Sequence, residues 1–294
     1  MKKNKQKGNS LTRNPLWFKA ILFVFFGSLC VVSFYPLWDV VIGSFMPLST
    51  YLTTPIKIYP KNFTIEAYTS LFDRANVMLA LSNTVFVTVV GTSLHMIILN
   101  MAAYVLSRKY FYGRKTIMMM IVFTMIFSGG LIPSYINARN LGILNTIWAL
   151  ILIPLVNAYY LVITRTYYAG IPDALEEAAK IDGANDFTIF LRVYVPSAMP
   201  IIATMCLFIA VDRWNNYINN LYYTHSTKLD TLQMMLYRML NNTDKLVADN
   251  SDTLVNDKSR RMAGIVIAAL PLVCIYPFLQ KHFVKGVMVG SIKG

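Results

Sequence analysis

Residues 171–200 read Ile-Pro-Asp-Ala-Leu-Glu-Glu-Ala-Ala-Lys-Ile-Asp-Gly-Ala-Asn-Asp-Phe-Thr-Ile-Phe-Leu-Arg-Val-Tyr-Val-Pro-Ser-Ala-Met-Pro. The stretch lies between two apolar runs and reads as two short helices joined by a tight turn. Asp173 stands where an N-cap belongs, with Glu176 three residues on, the spacing of a capping box. Leu175, Ala178, Ala179 and Ile181 form one small, apolar side, while Glu176, Glu177, Lys180 and Asp182 supply charge. Gly183 can take the left-handed conformation that ends a helix and turns the chain. Asn185 and Asp186 then cap a second helix over 187–195. Pro196 and Pro200 fall at the start of the next apolar run, where the first turn has no donor to lose. A helix faced with alanine can sit deep in a partner's groove. An amphipathic helix lying on a membrane surface has the same pattern, and the residues leave both readings open.

Outward from this loop the chain is apolar. Of its 294 residues, 56% are hydrophobic and 14% charged, and its mean hydropathy is +0.49. Soluble domains carry nearer a quarter charged residues. One core cannot hide so much apolar surface, and a bilayer is its natural solvent. A spanning helix needs about 20 mostly apolar residues. Six segments qualify: 20–41, 78–106, 117–136, 146–164, 197–211 with its continuation, and 262–283. The fold class expected is therefore all-α, a polytopic membrane protein with six transmembrane helices. The fifth segment runs short before Asp212 and Arg213. Pro154, Pro200, Pro271 and Pro277 inside these segments read as kinks. The first segment is too long for a signal peptide, and Phe34-Tyr35-Pro36-Leu37-Trp38 offers no small-residue cleavage site. It reads as a retained span.

The net charge of +13 does not indicate nucleic acid, because the bases cluster at the ends of apolar runs rather than in a basic domain. One set comprises Lys2, Lys3, Lys5, Lys7, Arg13 and Lys19. Further sets are Arg108, Lys109, Arg114 and Lys115, then Arg165, Lys180 and Arg192, and finally Lys281, Lys285 and Lys293. With six spans all four sets fall on one side, which places both termini in the cytoplasm of a multi-pass plasma-membrane protein. The segment around Lys228, Arg238, Lys245, Lys258, Arg260 and Arg261 breaks the trend, but it is long, and long loops weigh little. The domain plan is a cytoplasmic tail over 1–19, a six-helix domain over 20–284 and a cytoplasmic tail over 285–294. The domain contains a cytoplasmic loop at 165–195 and an extracellular segment at 213–261. Within that segment, 231–240 has helical spacing (Leu232, Met235, Leu236, Met239).

No Asp, Glu, Lys or Arg lies near the middle of a clear span. Pumps driven by protons or ions need such groups, so another subunit is expected to supply the energy. The chain has no Gly-x-x-x-x-Gly-Lys-Ser/Thr loop, and no Ser/His/Asp or metal-ligand set. His95 reads as a hydrogen-bonded bundle residue, and Cys30, Cys206 and Cys274 as small apolar packing residues.

Glu177-Ala178-Ala179, then Gly183, then Val193-Tyr194-Val195-Pro196 resembles the EAA loop of ABC importer permeases. Every spacing agrees, with valine in place of isoleucine and leucine. Asp182-Gly183-Ala184 is similar to the carbohydrate branch. So are Phe34-Tyr35-Pro36, Asn62-Phe63-Thr64, the segment Ala102 to Arg108, Trp214-Asn215, and the stretch Gln280 to Gly286. Ser128 to Ser134 with Asn140 to Thr146 is similar to a subgroup of complex-oligosaccharide permeases, including those labelled for aldouronates. The resemblance implies a type I importer permease fold and half of an oligosaccharide path, shared with a second homologous permease. It also implies two ATPase subunits that use ATP and magnesium, an extracellular or periplasmic sugar-binding protein, and surrounding lipid. This chain itself would bind no cofactor and catalyse nothing. Glu177 would pair with an ATPase cation, Ala178 and Ala179 would allow close docking, and Asp182, Gly183 and Pro196 would complete the coupling motif. Asn157, Tyr159, Tyr160, Trp214, Asn215, Asn216 and Tyr217 offer the aromatic faces and amides a sugar path wants. An interfacial aromatic belt or bundle packing would use the same residues. A permease for peptides or amino acids, or a membrane scaffold or enzyme, are the competing readings.

Overall fold

The computed structural model describes residues 16–74, 76–241 and 258–274, and every regular element among them is helical. The expected tails at 1–19 (through residue 15) and 285–294, the stretch 242–257 and the end of the sixth apolar segment lie outside these residues. The helices are α1 (Leu16–Ser44), α2 (Leu48–Thr53), α3 (Glu66–Arg74) and α4 (Val77–Ser107). Both α1 and α4 are long and apolar enough to cross a membrane.

α4 is the axis of the bundle. Its buried residues Val77, Ala80, Thr84, Val87, Gly91, His95, Leu99 and Ala103 recur every three or four positions, one stripe along the helix. The small members let neighbouring backbones come close, as packing within lipid requires. Two later helices, α8 (Ala158–Ala169) and α11 (Met199–Asn215), lie along this stripe. The Tyr168 hydroxyl donates to Asn100 Oδ1 at 2.7 Å and fastens α8 to α4.

Three of the other expected spans are broken. The segment expected at 117–136 is α5 (Arg114–Ile126) and α6 (Leu131–Asn140), bent by 117°. At 13 residues, α5 is about 20 Å long, short of the roughly 30 Å hydrocarbon core. Gly130, with φ +86°, makes the break, since a side chain there would be strained. The segment at 146–164 divides into α7 (Ile147–Leu152) and α8. Pro154 lies in the gap, and Asn157 caps α8 by accepting from the Tyr159 N–H at 2.9 Å. α11 runs to Asn215, through the continuation expected beyond 211, and meets the helical stretch Asp186–Ser197 at 81°. Among the described residues, two helices are thus long and apolar enough to span, and up to four if each bent pair counts as one.

Beyond α11 come α12 (Ile218–Tyr223), α13 (Leu232–Asn241) and a helix over 258–274, α14. α13 is where its spacing predicts, with Leu232, Met235 and Leu236 in a core shared with Leu71, Val77 and Ala263. Asn220, wholly buried, accepts from the Thr231 N–H at 2.9 Å, and Thr84 Oγ1 accepts from the Leu232 N–H at 2.7 Å. Much of the expected extracellular segment is therefore seated on α4. The three cysteines are exposed rather than packed inside. α1 has no buried side chain through residues 17–38. It is fastened near its end, where Asp39 accepts from the Tyr51 hydroxyl at 2.6 Å and Ser44 Oγ meets the Tyr68 hydroxyl at 2.8 Å.

Candidate coupling loop and bundle cavity

The loop folds as two helices, α9 (Asp173–Ile181) and α10 (Asp186–Ser197). Gly183 has φ +78°. Its N–H reaches Lys180 O and the Ala184 N–H reaches Ala179 O, each at 3.0 Å, the paired closure of a glycine-ended helix. Asn185 caps α10 by accepting from the Thr188 N–H at 2.8 Å. Two expectations change. Asp173 is the first helical residue after Pro172 and caps nothing; its carboxylate pairs with Lys109 instead. The second helix extends past 195 and carries a π turn over Phe190–Tyr194. The residue wound into that turn brings Phe190 and Tyr194 both inward, against Tyr104 of α4.

Of the expected coupling residues, Glu177, Ala178, Asp182 and Pro196 are exposed and Ala179 is half-buried, with Gly183 at the exposed turn. Leu175, Phe187 and Ile181 are exposed beside them, Ile181 to 86%. Glu176 is the opposite case and was not singled out for this role. Its Oε2 receives Arg108, which follows α4, and the Tyr194 hydroxyl. Lys180 donates to its Oε1 at 2.7 Å. Arg108 also bonds Tyr194 and Ser107 and lies 4.0 Å over the Tyr194 ring. This buried clamp ties α4, α9 and α10 together. Burial pushes the Glu176 carboxyl up, but the Lys180 hydrogen bond and the charges of Arg108 and Lys180 outweigh it and hold the group low. A depressed carboxyl contributes stability above its free value of 4.5 and loses it as the pH falls. Amide-exchange protection over residues 165–195, corrected for the intrinsic pH dependence of exchange, is expected to fall as the pH drops from about 5 to about 3, and Glu176→Gln to flatten that fall. An unchanged pH response in Glu176→Gln would remove Glu176 as its origin.

A cavity of about 360 Å³ opens between α4, α7, α8 and α11. Of the residues expected for a substrate path, Asn157, Tyr160, Asn215, Asn216 and Tyr217 line it. Tyr159 and Trp214 do not. Tyr159 is exposed, and Trp214 turns to α14, donating its indole N–H to Ala268 O at 3.1 Å. The three ionisable lining residues, His95, Asp212 and Arg213, are not among those the sequence points to. The latter pair looked like the end of a span, yet α11 continues and turns them inward. Asp212 accepts from the Tyr160 hydroxyl. Arg213 lies against Gly91, at the middle of α4, where a Cβ would come within 2.7 Å of its Cζ. Charge thus does reach the bundle interior. His95 is buried as expected, but its Nε2 has no hydrogen-bond partner.

The family model described as "binding-protein-dependent transport system inner membrane component" matches residues 113–289. The chain is 37% identical to protein LplC of Bacillus subtilis (strain 168) over 92% of this chain and 93% of that protein. It is also 37% identical to the polygalacturonan/rhamnogalacturonan transport system permease protein YtcP of the same organism, over 92% and 94%. Among solved structures it is similar to a chain of a bacterial ABC transporter involved in the import of the acidic polysaccharide alginate. That match has a TM-score of 0.85 and 28% identity, covering 92% of this chain and 98% of the other.

Proposed function

The chain belongs to the family of binding-protein-dependent transport system inner membrane components, and from that premise we propose that it is one membrane-spanning half of an ATP-driven oligosaccharide importer. A second, homologous permease completes the path, two ATPase subunits bind at the α9–α10 loop using ATP and magnesium, and an extracellular binding protein delivers the sugar. Six passes, with the broken helices counted as spans and both termini in the cytoplasm, agree with the distribution of bases between the apolar segments.

The observation that carries this reading is the division of α9 into two sides. Glu176 is locked inward to α4, while Leu175, Ala178 and Ile181 face out beside Glu177. A short helix held rigidly from behind, with small and apolar residues in front, suits docking into a partner's cleft. The cavity lining suits a sugar, with amides for hydroxyls and the Tyr217 ring for apolar C–H surface. The names of the relatives support the cargo class.

The test is a pull-down of tagged protein in mild detergent, wild type beside the double variant Glu177→Ala/Gly183→Pro. Proline cannot adopt the φ of +78° that Gly183 has. Wild type is expected to retain a second permease and an ATPase, and the variant to keep the permease but lose the ATPase. A wild type that purifies alone, or a variant that holds its ATPase, would overturn the coupling role.

A further inference from the structure

Arg213 is 6% exposed and lies on the cavity wall. Its amino groups donate only to the carbonyls of Leu150, Ile151 and Pro154, at 3.2–3.5 Å, long for such bonds. Its Nε has no partner. A guanidinium keeps its charge in a protein, so this is a buried, fixed cation. Among the described residues no carboxylate forms an ion pair with it: the ion pairs join other residues. The adjacent carboxylate, Asp212, also faces the cavity, but it is engaged by the Tyr160 hydroxyl. From α4 the facing group is His95, 3% exposed, whose Nε2 is also unpartnered.

The carbonyls offset part of the cost of burying the cation, much as a helix C-terminus attracts positive charge. They do not explain an unused N–H beside an open cavity. An ionisable residue inside a membrane bundle marks a substrate path more often than packing. We infer that Arg213 receives a carboxylate of the cargo, so that the transported oligosaccharide is a uronate-bearing, acidic one. This rests on the importer reading above. The planar fork of a guanidinium matches a carboxylate in geometry as well as charge. Asn157, Asn215 and Tyr217 then engage the rest of the sugar ring.

The experiment measures uptake by cells carrying the whole importer, with the binding protein unchanged. Labelled trigalacturonate and its methyl ester share one skeleton and differ in charge. Uptake of each is compared for wild type, Arg213→Gln and Arg213→Lys, normalised to permease in the membrane. The wild type is expected to prefer the acid. Arg213→Gln is expected to lower the acid-to-ester ratio roughly tenfold, about 1.4 kcal/mol, and Arg213→Lys to retain most of it. Because the binding protein is common to all three, a change in ratio belongs to the permease. Equal loss of acid and ester uptake in Arg213→Gln overturns the proposal and leaves Arg213 a structural support. So does a wild type that takes both equally, a result that needs no variant to fold. A wild type that imports neither also overturns it, and the pull-down above then shows separately whether the importer reading has fallen.

Discussion

Arg108→Ala is expected to cost the permease about 3 kcal/mol of stability, the lower end of the roughly 3–5 kcal/mol lost when one member of a buried ion pair is removed. The substitution leaves the Glu176 carboxylate buried and stripped of its main-axis partner. Lys180 remains on Oε1, but its side chain is 46% exposed, so it compensates only in part. The Tyr194 hydroxyl loses a partner as well. Glu176→Ala strands Arg108 in the same way. Removing both leaves no orphaned charge, so the double variant is expected to lose less than the sum of the two single changes. Denaturant unfolding in detergent measures this cycle. In the assembled importer the single variants are expected to hydrolyse ATP while transporting poorly, because the docked helix no longer moves α4 with it. Single variants within about 1 kcal/mol of wild type would mean that the clamp behaves as a solvent-exposed pair.

Gly91→Ala is the second large effect, and its sign separates two arguments. Helix propensity alone favours alanine over glycine by about 0.5–1 kcal/mol. At this position the new methyl group meets the Arg213 guanidinium, which the carbonyls of α7 and Pro154 hold in place. Overpacking costs about 1–3 kcal/mol, so sterics outweigh propensity and the variant is expected to be less stable than wild type. Gly91→Ala/Arg213→Ala has room for the methyl group and is expected to be more stable than the two single losses summed. Thermal unfolding of the four proteins decides it, and a stabilised Gly91→Ala would show that the guanidinium is free to move aside.

Much of this architecture is legible in the sequence because it rests on local rules. α1 and α4 follow from run length, the turn at Gly183 from the conformation only glycine takes easily, the α10 cap from Asn185, and α13 from the three-to-four spacing of Leu232, Met235 and Leu236. What escapes reading depends on partners distant in the chain. Glu176 and Glu177 are neighbours of one type, yet Arg108, 68 residues away, draws one inward and leaves the other out. Trp214 and Asn215 likewise part because α14 lies on one side of α11. The π turn has no pattern of its own, and it places Tyr194 only because Arg108 and Tyr104 are there to meet it. The breaks at Gly130 and Pro154 were visible as residues, but a kink and an interruption differ only in what lies alongside to satisfy the freed backbone.

The fastening of α1 has a consequence for the order of synthesis. The helix leaves the ribosome before the residues that hold it, since Tyr51, Lys57 and Tyr68 all follow it in the chain. Until they emerge, α1 has no neighbour from its own chain. Even afterwards only its last part, from Trp38 on, is gripped, with the Trp38 indole N–H donating to Ile58 O at 3.1 Å, while residues 17–38 stay without buried side chains. Its insertion therefore precedes its folding contacts, and its final tilt is settled late, by segments translated after it and by whatever surrounds its first turns, about six of them, in the membrane.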